Sequence, residues 1–135
     1  MIELIVEVTR AFFRLRAAGR DLGAVDAGGA GRWGFLRSLR LDGPQTVPQL
    51  ARARPVARQY VQTMANALAA EGLIEFVDNP AHRRSRLMRL TPKGERLYDK
   101  VDARVLREAA RMARDFDPRQ LATTVDVLRR LARAG

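Results

Sequence analysis

The stretch that decides the fold runs from residue 72 to residue 94 and reads GLIEFVDNPAHRRSRLMRLTPKG. Apolar and polar residues alternate near both of its ends, which predicts two short strands over residues 73–77 and 86–90. The apolar residues that face each other across this antiparallel pair are Ile74, Phe76, Met88 and Leu90. The connection, residues 78–85, is longer than a tight hairpin requires and is rich in arginine. We therefore predict a β-hairpin with a protruding basic tip.

A long helix is predicted after the hairpin. Thr91 can cap its first turn, and Pro92 lacks an amide that this turn would leave unpaired. Apolar residues then recur at steps of three and four, at Leu97, Val101, Val105, Ala109, Met112 and Phe116. Asp117-Pro118 ends this helix. A last helix carries a second apolar stripe, formed by Leu121, Val125, Leu128 and Ala132.

Two shorter helices are predicted just before the hairpin. Thr46 can accept a hydrogen bond from the first turn of a helix over residues 47–53, and Gln49 can reach back to it, as in a capping box. Pro55 breaks that helix, because proline disfavours helical backbone before it and donates no hydrogen bond. A second helix follows over residues 56–71. Two short helices joined by a tight turn form the skeleton of a helix-turn-helix.

Two further helices are predicted in the N-terminal third. The first spans residues 2–18 and has an apolar stripe formed by Ile2, Ile5, Val8, Phe12 and Leu15. The second spans residues 32–41, and its inward side consists of Trp33, Leu36 and Leu39. Residues 21–31 are rich in glycine and small residues, which predicts a loop. The predicted fold class is mainly α with a small β-hairpin wing.

Composition restricts the function before any motif is considered. None of the 135 residues is cysteine, which excludes disulfides and thiolate nucleophiles and favours a reducing cytoplasm. His82 is the only histidine, so no metal site is predicted. No apolar run is long enough to span a bilayer, and acidic residues interrupt the apolar N-terminus, so neither a membrane nor a signal peptide is expected. We expect a cytoplasmic protein without a cofactor.

Basic charge is concentrated in the middle of the chain. The sequence has 25 Lys and Arg against 15 Asp and Glu, for a net charge of +10, yet neither residues 43–70 nor residues 79–94 contain an acid. Such a surface attracts polyanions. The polar side of the helix after Pro55 consists of Arg58, Gln59, Tyr60, Gln62 and Thr63. Arg58 can hydrogen-bond to a guanine, and Gln59 or Gln62 can hydrogen-bond to an adenine. Tyr60 or Thr63 can contact a phosphate or a thymine methyl group.

Four stretches together form a recognisable pattern: TVPQLA at 46–51, EGLI at 71–74, NPAHRRS at 79–85 and LTPKG at 90–94. With this pattern, and with Val61 and Leu68 between its parts, the chain resembles the multiple antibiotic resistance regulator (MarR) family over nearly its whole length. For the single chain of residues 1–135, the resemblance implies a winged helix-turn-helix DNA-binding lobe in residues 32–91. It also implies a helical dimerisation lobe formed by residues 1–20 and 92–135.

The resemblance further implies residues that contact DNA from the wing. Arg83, Arg84 and Arg86 are expected at the DNA, with Arg84 entering the minor groove, where the negative potential is deepest. Two residues depart from the family pattern. His82 stands where the family places an aspartate that pairs with the wing arginine, and Ala57 stands where it often has a capping serine. The wing is therefore expected to be less fixed and more cationic.

The predicted function is that of a sequence-specific, double-stranded DNA-binding transcription regulator, a homodimeric and ligand-responsive repressor. A small aromatic effector is a further expected partner, and the aromatic residues that either line its pocket or pack in the core are Phe12, Phe13 and Trp33. An enzyme is disfavoured, because the sequence has no serine–histidine pairing and no glycine-rich phosphate loop. The remaining alternative is a winged-helix module that binds protein, which the acid-free middle segment disfavours.

Overall fold

The computed structural model describes residues 1–24, 31–54 and 56–134. The elements within these ranges are, in chain order, α1 (Ile2–Asp21), α2 (Arg32–Asp42), α3 (Val47–Ala53), α4 (Arg58–Ala70), β1 (Ile74–Val77), β2 (Leu87–Leu90), α5 (Pro92–Ala113) and α6 (Pro118–Arg133). Their contacts divide the chain into two compact units, residues 1–102 and 103–135. The mainly α fold with a hairpin wing is confirmed. The assignment of residues 32–91 to a DNA-binding lobe and of the flanking helices to a dimerisation lobe stays a prediction.

The two helices of the helix-turn-helix begin in different ways. At the start of α3, Gln49 N donates to Thr46 Oγ1 (3.2 Å) and Thr46 N donates to Gln49 Oε1 (2.9 Å), so the predicted capping box is present. By contrast, α4 starts at Arg58, two residues later than predicted. Ala57 before it is extended (φ −64°, ψ 140°) and has no side-chain oxygen with which to cap the helix. Pro55, the predicted helix breaker, lies outside the described residues.

The hairpin pairs in the predicted register. Ile74 lies opposite Leu90 and Phe76 lies opposite Met88, although each strand begins one residue later than predicted. Gln45 adds a single-residue third strand that the sequence did not reveal, because it exchanges two backbone hydrogen bonds with Met88 (3.1 and 2.7 Å). This bridge ties the hairpin to the residue that precedes the α3 capping box.

The core of the first unit lies between the helix-turn-helix, α2 and the hairpin. Its largest fully buried side chains are Phe35, Leu36, Leu50, Val61, Ile74 and Met88. Leu36 and Leu39 face inward as predicted, but Phe35 is only 1 % exposed, whereas Trp33 is partly buried and packs at the edge of this core. The polar indole explains the difference, because Trp33 Nε1 donates to Asp102 Oδ1 at 2.9 Å and an edge position leaves that N–H a partner.

The start of α5 is held against the backbone that follows α4. Thr91 N donates to Leu73 O (3.1 Å), and Thr91 Oγ1 donates to Gly72 O (2.6 Å) while accepting from Gly94 N (3.0 Å). Gly94 is needed for this approach, since a Cβ at that position would lie 1.9 Å from Leu73 O. The LTPKG stretch therefore closes the base of the hairpin onto α5.

The terminal helices leave apolar residues exposed. α1 runs to Asp21, three residues beyond its predicted end, and residues 25–30 of the predicted loop lie outside the described residues. The large apolar residues that α1 exposes include Ile2, Ile5, Val8, Phe12, Phe13 and Leu15. In the second unit, α6 exposes Leu121, Val125, Val127, Leu128 and Leu131. Phe116 follows the end of α5 at Ala113 and is also exposed.

Within the described ranges, no helix is both long enough and apolar enough to cross a membrane.

Candidate nucleic-acid interface

The helix after the turn, α4, presents one side to the core and an arc of polar residues to solvent. Its buried residues are Val61, Met64, Ala65 and Leu68. Because successive residues of a helix are about 100° apart, Arg58 and Gln62 lie on one flank of the exposed arc and Tyr60 lies on the opposite flank. Gln59 and Thr63 fall between these flanks, farthest from the core. The five residues predicted to contact the major groove therefore do not share one direction.

The first flank of α4 faces the wing across a groove of about 550 Å³. The groove is lined by Val47, Pro48, Arg58, Gln59, Gln62, Phe76, Arg84, Ser85 and Arg86. These residues come from the first turn of α3, the first half of α4, β1 and the returning end of the wing. Two predicted sets therefore surround one groove, which we call the α4–wing groove. They are Arg58, Gln59 and Gln62 of the major-groove set and Arg84 and Arg86 of the wing set.

The opposite flank of α4 borders a smaller cavity of about 160 Å³. Tyr60 and Thr63 line it, together with Arg32 of α2 and Glu71 at the end of α4. Arg32 Nη2 donates to Glu71 Oε2 at 2.8 Å, so an ion pair lies on this side of the helix. The structure places Tyr60 on the flank away from the α4–wing groove, whereas Thr63 lies between the two flanks, one turn after Gln59.

The side chain of Asn79 bridges the two ends of the wing connection. Asn79 Nδ2 donates to Ser85 O (3.0 Å), and Asn79 Oδ1 accepts from Ala81 N (3.1 Å). Arg86 Nη2 donates to Phe76 O at 2.8 Å, which anchors that arginine to β1. The side chains of the tip, which includes His82, Arg83 and Arg84, are exposed.

Two acids of this region form ion pairs, whereas Asp78 is exposed at the start of the wing and has no ion pair within the described residues. Glu71 pairs with Arg32, and Glu75 pairs across the hairpin with Arg89 (2.7 Å). Within the described residues no ion pair joins Arg58, Arg84 or Arg86 to a carboxylate. The positive charges around the α4–wing groove are therefore not cancelled locally, and they favour a polyanionic ligand.

A ladder of polar contacts joins α2 to α5 within the first unit. Besides the Trp33–Asp102 hydrogen bond, Arg40 Nη1 lies 3.5 Å from Glu95 Oε1 and Arg40 Nη2 lies 3.6 Å from Asp99 Oδ1. Burial raises the pKa of Tyr98, over whose ring Arg40 lies, and the Asp102 carboxylate raises it further.

The three aromatic residues predicted for an effector pocket differ in their surroundings. Phe12 and Phe13 are 54 % and 62 % exposed on α1, with their rings edge to face 5.5 Å apart. Trp33 packs against the core and lies under the Arg37 guanidinium. None of the three lines the α4–wing groove.

Comparison with known proteins identifies the family. Residues 29–85 match the MarR family. An uncharacterized protein of Mycobacterium tuberculosis, Rv2011c, is 38 % identical over 128 residues, which cover 95 % of this chain and 89 % of that protein. The chain belongs to the MarR family.

Solved structures agree with the fold of this MarR-family protein. The MarR family transcription regulator SP03579 is 29 % identical to this chain. The alignment covers 98 % of this chain and 88 % of the SP03579 chain, with a TM-score of 0.78. A mutant of MarR from E. coli, complexed with operator DNA, is 21 % identical over 96 % of this chain and 91 % of its own, and its TM-score of 0.77 supports the fold. The protein is thus a MarR-family transcription regulator with a winged-helix DNA-binding fold.

Several residues in and beside the α4–wing groove were not predicted from the sequence. Val47, Pro48 and Phe76 line the groove although they carry no side-chain donor, and only the packing of three elements brings them there. Asn66 was left out of the predicted set, yet Gln62 Nε2 donates to its Oδ1 at 2.9 Å. Their spacing of four residues, which places two side chains next to each other on a helix, was the available signal.

Proposed function

We propose that this MarR-family protein is a sequence-specific, double-stranded DNA-binding regulator that acts as a homodimeric, ligand-responsive repressor. One observation carries the proposal: the α4–wing groove brings Arg58, Gln62 and Arg84 together with no carboxylate paired to either arginine among the described residues. The two cationic elements that border this groove, α4 and the wing, can bind one DNA duplex together. The helix then lies in a major groove and the wing in the adjacent minor groove.

In the proposed complex α4 enters the major groove. That groove is about 12 Å wide, which matches a helix with its side chains. Arg58 and Gln62, in the first half of α4, meet base edges, and Gln59 lies beside them. Tyr60 lies on the opposite flank, so we expect it to contact the phosphate backbone and to contribute little to sequence preference, whereas Thr63 lies between the flanks beside Gln59.

The wing completes the proposed complex from the other side. Arg84 enters the minor groove, while Arg86, held by Phe76 O, contacts a phosphate. Arg83 is a further exposed cation of the tip. Because His82 stands where the family places the aspartate that pairs with this arginine, the Arg84 guanidinium is ordered by the DNA itself.

The proposed dimer buries the apolar residues of the terminal helices. Each chain exposes the α1 stripe and the α6 stripe, and apolar surface of this kind is stabilised by burial against a second copy. Two-fold symmetry then presents two copies of α4 to successive major grooves about one helical turn apart, on a pseudo-palindromic site.

Ligand response follows from that arrangement as a shift between two spacings of the DNA-binding elements. An effector that prefers the spacing incompatible with DNA lowers the affinity for the operator by its difference in affinity for the two states. Phe12 and Phe13 on α1 are the exposed aromatic pair available to an aromatic ligand.

The experiment that tests the proposal selects genomic fragments with the purified protein and then measures affinity for the recovered site by fluorescence anisotropy. We expect a palindromic consensus, two protomers bound per site by analytical ultracentrifugation, and a steep fall in affinity between 50 and 200 mM salt, by roughly 1,000-fold or more. Elution from heparin at low salt together with no enriched sequence would contradict the proposal and favour the alternative, a winged-helix module that binds protein.

A further inference from the structure

Three residues form a row along the groove flank of α4. Arg58, Gln62 and Asn66 are each one turn apart, so the row extends about 12 Å along the helix axis. At about 3.4 Å per base pair, this length matches three to four base pairs. Arg58 and Gln62 line the α4–wing groove, and Asn66 continues the row toward the C-terminal end of α4 as an exposed residue.

The contact between the last two members of the row orients the glutamine. Gln62 Nε2 donates to Asn66 Oδ1 at 2.9 Å, which directs its amide nitrogen toward the C-terminal end of α4. The second Nε2 hydrogen and both lone pairs of Oε1 remain for another partner. Gln62 is partly buried in the groove, whereas Asn66 is exposed, so the contact restrains the residue that lies deeper.

This restraint matters because a carboxamide can present its donor and acceptor in either order. Adenine offers an N6 donor beside an N7 acceptor, and a glutamine reads the pair with Oε1 and Nε2 in one order only. An amide that rotates freely can equally present the reverse order to other base edges. A neighbour that accepts a hydrogen bond from Nε2 therefore fixes the order of the glutamine donor and acceptor. This contact uses one of the two Nε2 hydrogens, and the other remains to donate to adenine N7.

We propose that Asn66 is a positioning residue for base selection, which holds the Gln62 carboxamide in the orientation that reads adenine. The inference rests on the proposed function, since it requires α4 to lie in the major groove. Asn66 makes no base contact itself in this scheme. Its removal therefore alters preference at the base pair that Gln62 reads and nowhere else.

The test compares Gln62→Ala, Asn66→Ala, the double variant and Asn66→Asp in the full chain, each by selection from a randomised operator. Gln62→Ala abolishes the preference at one base pair. Asn66→Ala lowers the preference at that same pair about 3- to 10-fold, while affinity for the best site falls only about twofold. The double variant equals Gln62→Ala, because the asparagine acts only through the glutamine. Thermal melting checks that each variant is folded.

Asn66→Asp is the variant that separates positioning from direct contact. Its carboxylate still accepts from Gln62 Nε2, so the base preference persists, although the added negative charge lowers affinity for all DNA alike. An unchanged profile for Asn66→Ala, or a change at a different base pair from that of Gln62→Ala, overturns the inference and leaves the proposed function intact. If wild-type protein selects no sequence, the proposed function itself fails, and the inference fails with it.

Discussion

The base and the tip of the wing are built on opposite principles. At the base, Thr91 N donates to Leu73 O, Gln45 exchanges two backbone hydrogen bonds with Met88, and Glu75 pairs with Arg89 across the hairpin. At the tip, His82, Arg83 and Arg84 are exposed, and no ion pair restrains them within the described residues. The base is thus satisfied by the protein alone, whereas the tip keeps its charges for a ligand. Substitutions at the base should change stability, and those at the tip should change binding.

The largest effect is expected at the base, from Gly94→Ala. The new Cβ would lie 1.9 Å from Leu73 O, which is backbone and cannot swing aside. We expect the free energy of unfolding to fall by about 3 kcal/mol or more, measured by urea denaturation.

Gly34→Ala in α2 is the matched control for that substitution. Its Cβ would lie 2.8 Å from Arg54 Nη2, the end of a flexible side chain, and alanine favours helix by up to about 1 kcal/mol. It should be neutral or stabilising. Equal destabilisation by both alanines would show that the close approach of α5 to Leu73 is not what requires glycine.

The next effect is expected at the tip, from Arg84→Ala. Loss of its guanidinium should weaken binding to the selected site about 5- to 30-fold, measured by fluorescence anisotropy, with an unchanged melting temperature. Arg129→Ala on α6 removes the same charge from an exposed helix and should change affinity far less. Equal losses of affinity for both variants would show that Arg84 contributes only through the net charge of the protein.

A smaller effect is expected where base and tip meet, from Asn79→Ala. It removes the bonds to Ser85 O and Ala81 N, so we expect a loss of about 1 kcal/mol in unfolding free energy. Operator affinity should fall about threefold, because the wing must then be ordered on binding. Asn79→Asp keeps the acceptor for Ala81 N and should give an intermediate result. Unchanged hydrogen exchange in residues 79–85 would count against this role.

The smallest effect is expected from Arg89→Ala at the base. The Glu75–Arg89 pair is about half exposed, and such pairs contribute about 0.5 kcal/mol or less. The difference from wild type in urea denaturation should disappear in about 1 M NaCl because salt screens the pair. A difference that persists at high salt would mean that the arginine stem packs on the hairpin.

Much of the fold could be predicted because it depends on neighbours in sequence. The capping box of Thr46 and Gln49, and the hairpin register of Ile74 with Leu90, follow from spacing alone. The start of α4 was predicted two residues early, since the pattern did not reveal that Ala57 is extended. Phe35 was missed because the hydrophobic pattern does not show that the Trp33 indole has a partner in Asp102, 69 residues away.

The residues of the candidate site could be predicted from the sequence, but which of them line the same groove could not. Arg58, Gln62 and Arg84 were expected at DNA, and they do line one groove. Tyr60 was expected beside them, yet it borders the Arg32–Glu71 ion pair on the other flank of α4, and Thr63 lies between the two flanks. Which flank faces the wing depends on how α4 packs against α3 and the hairpin, which sequence periodicity does not encode.

The sequence by itself determined the elements, their order, the excess of positive charge and the family, because caps, turns, alternation and motifs are local. Only the tertiary structure decided that the acids Glu71 and Glu75 are paired away from the groove. It also decided that glycine is needed at residue 94, where α5 approaches the Leu73 backbone. These outcomes depend on distances between side chains and backbone atoms that only packing sets.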